Sequence, residues 1–399
     1  MSTAVRASAA TVLAAALAAF AAPGTSASAA APRGGDAHQG PVFVQTDNTA
    51  GNAIVAYRRA ADGSLHRQGT FPTGGKGGML SGSVVDHLAS QGSLTYDCDH
   101  HLLFAVNAGS NTLTVFSVEG DRLRREQVVS SGGTFPVSVT VHKDRVYVLN
   151  ARKGGSVQGY RIAAGRKSER VAAGRKSERI AAGRTLEPVA GWNRQLHLDT
   201  ATAPEFTHTP GQVSLTPDGS QLIVSTKAGG SSVAVFAVSR SGELSARPVV
   251  NKQTGSVPFG FTFDAHGRLV VTDAGANAVM TFAVRKDGRT VKLDNAPTGQ
   301  QATCWIVRAG DRFYASNAGS NTLSGFHQTR RPALQPLGTT ATGAGTVDSA
   351  VTPDAHFLYV QTGGTGAVDA FRVQRDGSLT RTGTVTVPNA AGGEGIVAL

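Results

Sequence analysis

"LFAVNAGSNTLTVFSV" (Leu103–Val118) returns 210 positions later as "FYASNAGSNTLSGFHQ" (Phe313–Gln328). Each reads as an apolar strand ending in a polar residue, a Gly/Ser/Asn loop, and a second strand ending in Phe. Five looser copies share the pattern: "VFVQTDNTAGNAIVAYRR" (42–59), "VYVLNARKGGSVQGYRI" (146–162), "LIVSTKAGGSSVAVFAV" (222–238), "LVVTDAGANAVMTFAV" (269–284) and "LYVQTGGTGAVDAFRV" (358–373). Their aromatic ends, Tyr57, Phe116, Tyr160, Phe236, Phe282, Phe326 and Phe371, are separated by 59, 44, 76, 46, 44 and 45 residues. A period near 45 with β-branched and aromatic alternation is the spacing of four-stranded propeller blades.

The remaining strands of each blade are also legible. A segment such as "VSLTPDGSQ" or "FTFDAHGR" precedes each pair as an inner strand with a tight turn, and one such as "RDGSLTRTGTV" follows as an outer strand. The chain stops at "GEGIVAL", an inner strand without partners, and the repeats begin at "GPVFVQT", a second strand without an inner one. Joining them completes a blade and removes an open sheet edge. The expected fold is therefore all-β, a seven-bladed β-propeller over residues 41–399, closed by pairing the C-terminal strand with the N-terminal strands.

The spacing of 76 has a separate cause. "IAAGRKSER", "VAAGRKSER" and "IAAGRTLEP" begin at Ile162, Val171 and Ile180, so residues 162–179 are two extra copies of a nine-residue unit. Without them the third blade keeps an ordinary third strand, turn and fourth strand. At 100° per residue a nine-residue period turns successive copies to opposite helix faces, and an odd period does the same on a strand. The tract is thus a basic insertion in a blade-three turn, not an amphipathic device. It carries six Lys/Arg and two Glu, so +4 of the formal net charge of +11. The remaining excess affects solubility and anionic partners without demanding nucleic acid.

Residues 1–29 read as a signal peptide: Arg6, an apolar run over Ala9–Ala22, Pro23, and a small-x-small site at Ala27-Ser28-Ala29. Residues 30–40 are a linker, no other segment is expected to enter a membrane, and a secreted monomer is expected. Cys98 and Cys304 read as free thiols at opposite ends of inner strands.

The stretches "LASQGSL" (88–94), "FPVSVTVH" (135–142), "TPGQVSLTPDG" (209–219), "VPFGFTFDAHGRLVVTDA" (257–274) and "ATCWIVRAGDRFYASNAGSNT" (302–322) resemble the seven-bladed lactonase family, the 6-phosphogluconolactonase-like and 3-carboxymuconate-cyclase-like propellers. The resemblance covers nearly the whole mature chain. It implies this fold and activity on lactones through a His, Arg and Glu set in the central funnel, without placing that set on particular residues here.

In a propeller the inner strands line the axis, and ligands enter where these strands begin. The residues at those starts and at the ends of second strands are the candidate site. Asp348 and Glu394 occupy equivalent places in adjoining blades. Two close carboxyls push one pKa up, so one serves as general acid and the other as base. They are equally able to hold a divalent cation or to accept strand-start N–H groups. His208, in the loop "PEFTHTPGQ", is the candidate base. Lys227 and Arg152 follow second strands and suit a substrate anion, and Gln91, Ser138, Gln212 and Trp305 are candidate pocket walls. "DCDHH" (Asp97–His101) falls in a turn at the far end of its strand, so no metal site or cofactor is assigned. The "NAGSNT" loops join two strands and lack the helix N-terminus of a phosphate loop.

Two functions follow. One is a secreted lactonase-like hydrolase acting on a small anionic lactone or sugar acid. The other is a non-catalytic extracellular propeller recognising a glycan, wall polymer or protein. A quinone-dependent dehydrogenase propeller lacks a cofactor signature here.

Overall fold

The structure, a computed structural model, describes residues 40–164 and 183–399. They form seven four-stranded antiparallel sheets arranged as the blades of one ring. From blade one to blade seven the inner strands are Ile396–Ala398, Leu94–Asp97, Pro136–His142, Pro210–Leu215, Pro258–Phe263, Thr303–Ala309 and Thr346–Val351. Blade one is the composite expected from sequence. Val42, Phe43 and Val44 pair antiparallel with Ala398, Val397 and Ile396.

Second strands such as Leu102–Asn107, Gln221–Thr226 and Phe357–Thr362 are buried along their whole length. A blade packs against a neighbour on each face, so these strands read as unbroken apolar runs. Fourth strands such as Arg122–Ser130 are exposed or half-buried along most of their length and largely polar. The seven aromatic ends of the repeat are each at most 1% exposed. Their rings fill the wedge between blades, where a large rigid side chain buries most area.

Two recurrent contacts stitch blade to blade. The hydroxyl of Tyr314 in blade six donates to the Gly377 carbonyl in the next blade's outer turn at 2.8 Å. Tyr359 of blade seven does the same to Gly63 of blade one at 2.9 Å, and Tyr147 of blade three to Gly242 of blade four. In the "NAGSNT" loops, Asn111 and Asn321 adopt left-handed backbone. Their side-chain oxygens accept from Phe135 N at 2.8 Å and Gly345 N at 2.7 Å, at the entrance to the next blade. These loops are inter-blade fasteners.

In blade three, Ser156–Ala164 pairs with Arg184–Gln195, and Ala164 faces Arg184. The expected insertion, residues 162–179, begins inside the first of these strands at Ile162, and its remainder lies among residues 165–182, outside the described residues. The same holds for the expected signal peptide and linker.

Candidate functional site

The inner strands converge on a buried charged group at the axis. Asp348 and Glu394 both belong to it, at 4% and 0% exposure. The sequence expectation that they adjoin holds: each carboxyl raises the other group's energy of ionisation through its charge or that of a shared neighbour, Asp86. Two further acids complete the group. Asp47 follows the second strand of blade one, and Asp86 comes from the long connection between blades one and two. Lys227, at the end of blade four's second strand, supplies the one ammonium among the described residues of this group.

Burial dominates the chemistry of all five, because the interior disfavours whichever form carries charge. It pushes Asp47 up to about 8, Asp86 to about 6 and Asp348 to about 7. Backbone N–H groups partly oppose the shifts: Glu394 N reaches Asp47 Oδ2 at 2.8 Å, Leu88 N and Ser90 N reach Asp86 at 2.9 and 3.0 Å, and Ser349 N reaches Asp348 at 2.9 Å. Glu394 is raised well above the usual carboxylate range by burial and by Asp86, Asp348 and Asp47. Lys227 is lowered to about 8 by burial, against the attraction of Asp86 and Glu394.

Ser90 Oγ lies between two acceptors, 2.9 Å from Val137 O and 2.5 Å from Glu394 Oε2. A hydroxyl has one proton and a carbonyl can only accept, so Ser90 serves one of them fully at a time. The other oxygen, Oε1, accepts from Ser93 N at 3.1 Å.

The segment Asp86–Gln91 lies across the axis above these groups. Lys227 Nζ donates to Ala89 O, and Trp305 Nε1 of blade six donates to Ser90 O at 2.5 Å. Gln91 reaches the same strand with both ends of its amide, donating to Ile306 O at 2.8 Å and accepting from Ile306 N at 3.1 Å. Phe259 packs edge-on to Trp305 at 5.0 Å and lies 5.2 Å beneath the Lys227 ammonium. Gly260 is required here, since a Cβ would collide with Gln91 Oε1.

The family comparison accords with this funnel. Residues 190–307 match the family model described as lactonase, 7-bladed beta-propeller. Over that stretch the chain is similar to the lactonase propellers, and its fold is a seven-bladed propeller. Among solved structures, the chain is similar to a periplasmic gluconolactonase of Pseudomonas aeruginosa (20% identity, TM-score 0.68, covering 90% of this chain and 99% of that one). A candidate 6-phosphogluconolactonase of Bacteroides fragilis gives 18% identity and TM-score 0.67, covering 90% and 97%. A Lactobacillus plantarum protein gives 20% and 0.68, covering 90% and 99%. No curated relative matches in sequence.

Several expected site residues have other work. Arg152 does not await an anion: its guanidinium makes a two-pronged pair with Glu205 at 2.6 and 3.0 Å, donates to Met79 O at 3.3 Å and stacks 4.4 Å over Phe135. Glu205 in turn accepts from Ser81 N at 2.8 Å. Arg152 and Glu205 thereby clip the connection 73–93 to the connection 196–209. Gln212 Oε1 accepts from Phe261 N at 2.6 Å, and Ser138 Oγ donates to Gln91 O at 2.7 Å. Both are bridges between inner strands, not exposed walls. Lys227 is buried and bound to Ala89 O, with no face toward solvent.

His208 ends the short helix Glu205–His208 at the rim and lines a cleft of about 70 Å³ with Arg152, Lys153, Asp199 and Thr202. Its Nδ1 sits 2.9 Å from Pro204 O, so that nitrogen carries the proton and Nε2 is the basic one. None of its contacts reaches Asp348 or Glu394, so the structure separates this candidate base from the carboxyl pair.

"DCDHH" behaves as a turn: His100 Nδ1 pairs with Asp97 at 2.6 Å and His101 with Tyr96 OH at 3.1 Å. Among the described residues no three metal-ligating side chains converge on an ion position. Cys98 is exposed and Cys304 buried, both as free thiols.

Asp47, Asp86 and Glu205 were not singled out from sequence. A signal for the last two existed. The spacings of 59 across residues 57–116 and 58, after removing the repeat, across 160–236 exceed the usual 45. Those excess residues are the connections 73–93 and 196–209.

Proposed function

We propose that this chain is an exported hydrolase of small neutral lactones, with the axial group as its reacting centre. The observation that carries the reading is the convergence of Asp47, Asp86, Lys227, Asp348 and Glu394 from five chain segments into one apolar, aromatic-lined volume. A buried charged group of this kind costs stability compared with an apolar core, and strongly shifted groups cluster where chemistry is done. The lactonase family match and the gluconolactonase neighbour support the reaction class.

Each group has a role in ring opening. The Lys227 ammonium holds the lactone carbonyl and the oxyanion that forms from it. Asp348, poised near neutrality, takes a proton from the attacking water. Glu394, protonated at rest, gives its proton to the ring oxygen as the C–O bond breaks. One water is consumed, the lactone becomes a hydroxy acid that gives up its own proton to solvent on release, and the proton taken up by Asp348 returns to Glu394.

Electrostatics revise the ligand class. Lys227 is already balanced by an ionised Asp86, leaving no surplus positive charge for an anionic sugar acid, while carboxyl oxygens suit the hydroxyl groups of a neutral sugar lactone. Purified protein should open glucono-δ-lactone, followed by acid release, with at least a tenfold preference over its 6-phosphate. Asp348→Asn/Glu394→Gln and Lys227→Met should each lower kcat at least about 100-fold, the range typical for loss of one acid–base or oxyanion contributor. Full turnover by the double variant would sink the assignment.

Export rests on the N-terminal signal pattern. The mature chain from culture medium should begin near residue 30 by N-terminal sequencing. The closed axis favours one second reading, a binding propeller without turnover; a lactone panel with no acid release but saturable polymer binding would select it.

A further inference from the structure

The Asp86–Gln91 segment fills the place where the proposed function needs a ligand. Its consecutive carbonyls, Ala89 O and Ser90 O, occupy the Lys227 ammonium and the Trp305 indole N–H. Its carboxyl, Asp86, stands among the other axial acids, and Ser90 Oγ caps Glu394. A peptide carbonyl offers these donors the same oxygen geometry as an ester carbonyl. The segment is thus a substrate surrogate supplied by the chain itself.

Its backbone is held against preference. Ala89 has φ +48, a left-handed conformation that a Cβ disfavours. The conformation persists because Asp86 accepts from both Leu88 N and Ser90 N while the two carbonyls are anchored outward. Those anchors depend on charge. Facing Asp86 are Lys227 from blade four, Cys304 from blade six, Asp348 from blade seven and Asp47 and Glu394 from blade one, with His87 beside it on its own segment. With most carboxyls neutral the ammonium holds the segment. With all of them ionised, and the ammonium losing its proton, Asp86 is repelled and the Ala89 anchor weakens.

We propose that Asp86–Gln91 is an autoinhibitory plug, seated at acidic pH and driven from the funnel by charge repulsion as pH rises. This rests on the axial group being the reacting centre, but its test does not use turnover. The chain has two tryptophans, Trp192 and Trp305. Trp192→Phe preserves the stacking on Tyr147 and leaves Trp305 as sole reporter at the plug. Acrylamide quenching of its fluorescence should rise at least threefold between pH 6 and pH 9 with unchanged far-UV circular dichroism. Adding Asp86→Asn should hold quenching low or move the rise up by a pH unit or more. In the unsubstituted chain, hydrogen exchange corrected for intrinsic rates should show Leu88–Ser93 opening at pH 9 while Leu269–Asp273, the second strand of blade five, stays protected.

Quenching that is flat with pH, that rises only with loss of the circular dichroism, or that is unmoved by Asp86→Asn would overturn the plug, as would joint opening of both peptides. A plug that opens in a chain inert toward lactones would refute the reacting-centre reading alone. Turnover with a fixed plug would refute the plug alone.

Discussion

Glu394 shows how one side chain can be read twice. From sequence it was a carboxyl at a strand start, beside Asp348; its neighbour was correctly found because blade geometry places equivalent positions together. The structure adds that burial and the neighbouring Asp86, Asp348 and Asp47 hold its carboxyl well above the usual range. Glu394→Gln should therefore be tolerated, with Gln donating where the acid does. Its urea midpoint should match the parent at pH 5 and exceed it at pH 8, since the acid is stabilised by ionising when unfolded and the amide is not; equal midpoints at pH 8 would contradict a neutral resting acid. Asp47 and Asp86 were illegible for a different reason. Each lies outside the repeated strand pattern, and what brings it to the axis is the path of an irregular connection, for which periodicity carries no information. Lys227 was singled out from sequence, but its position at a strand end says nothing about whether the side chain turns outward or inward.

At the level of strands and loops, the repeat was almost wholly legible. Aromatic ends, unbroken apolar second strands and largely polar outer strands each follow from how a blade packs between two others. The inter-blade fasteners were less so: "NAGSNT" could be excluded as a phosphate loop, yet its role became clear only when Asn111 and Asn321 were seen bonding to the next blade. Tyr314→Phe tests such a fastener. Removing its 2.8 Å bond to Gly377 leaves a buried carbonyl with one donor fewer and should cost about 1 kcal/mol by urea unfolding, with lactone turnover unchanged. A loss below a few tenths would mean that ring packing alone fixes the blade. The third-to-fourth-strand turn of blade three gives the opposite expectation. Deleting residues 162–179 lets Ile180 take the place of Ile162 opposite Leu186, so stability and turnover should be retained; loss of either would give the repeat a role that its place in the blade does not suggest.

Across the whole molecule, the axial group sets the dependence of stability on pH. Asp47, Asp86 and Asp348 have folded-state values near 8, 6 and 7, all above their ordinary 3.8. The folded chain thus binds more protons than the unfolded one between about pH 4 and 8. Stability is full below pH 4 and lost as pH rises through that window. Lys227, lowered from 10.5 to about 8, works in the opposite sense, restoring stability between about pH 8 and 10.5. Urea midpoints should fall from pH 5 to pH 8 and flatten above it, and Asp47→Asn should reduce the fall. A midpoint rising across pH 5–8 would be incompatible with this cluster. Closure of the ring has a consequence for how the protein comes into being. The strand Ile396–Ala398 must find Val42–Val44 at the opposite end of the sequence, and Tyr359 must find Gly63. Blades made early can fold as they emerge, but the ring cannot lock until the final residues are available. Its last event is a slow, long-range search, and until that search ends the first blade keeps an open edge for a chaperone, or another copy, to find.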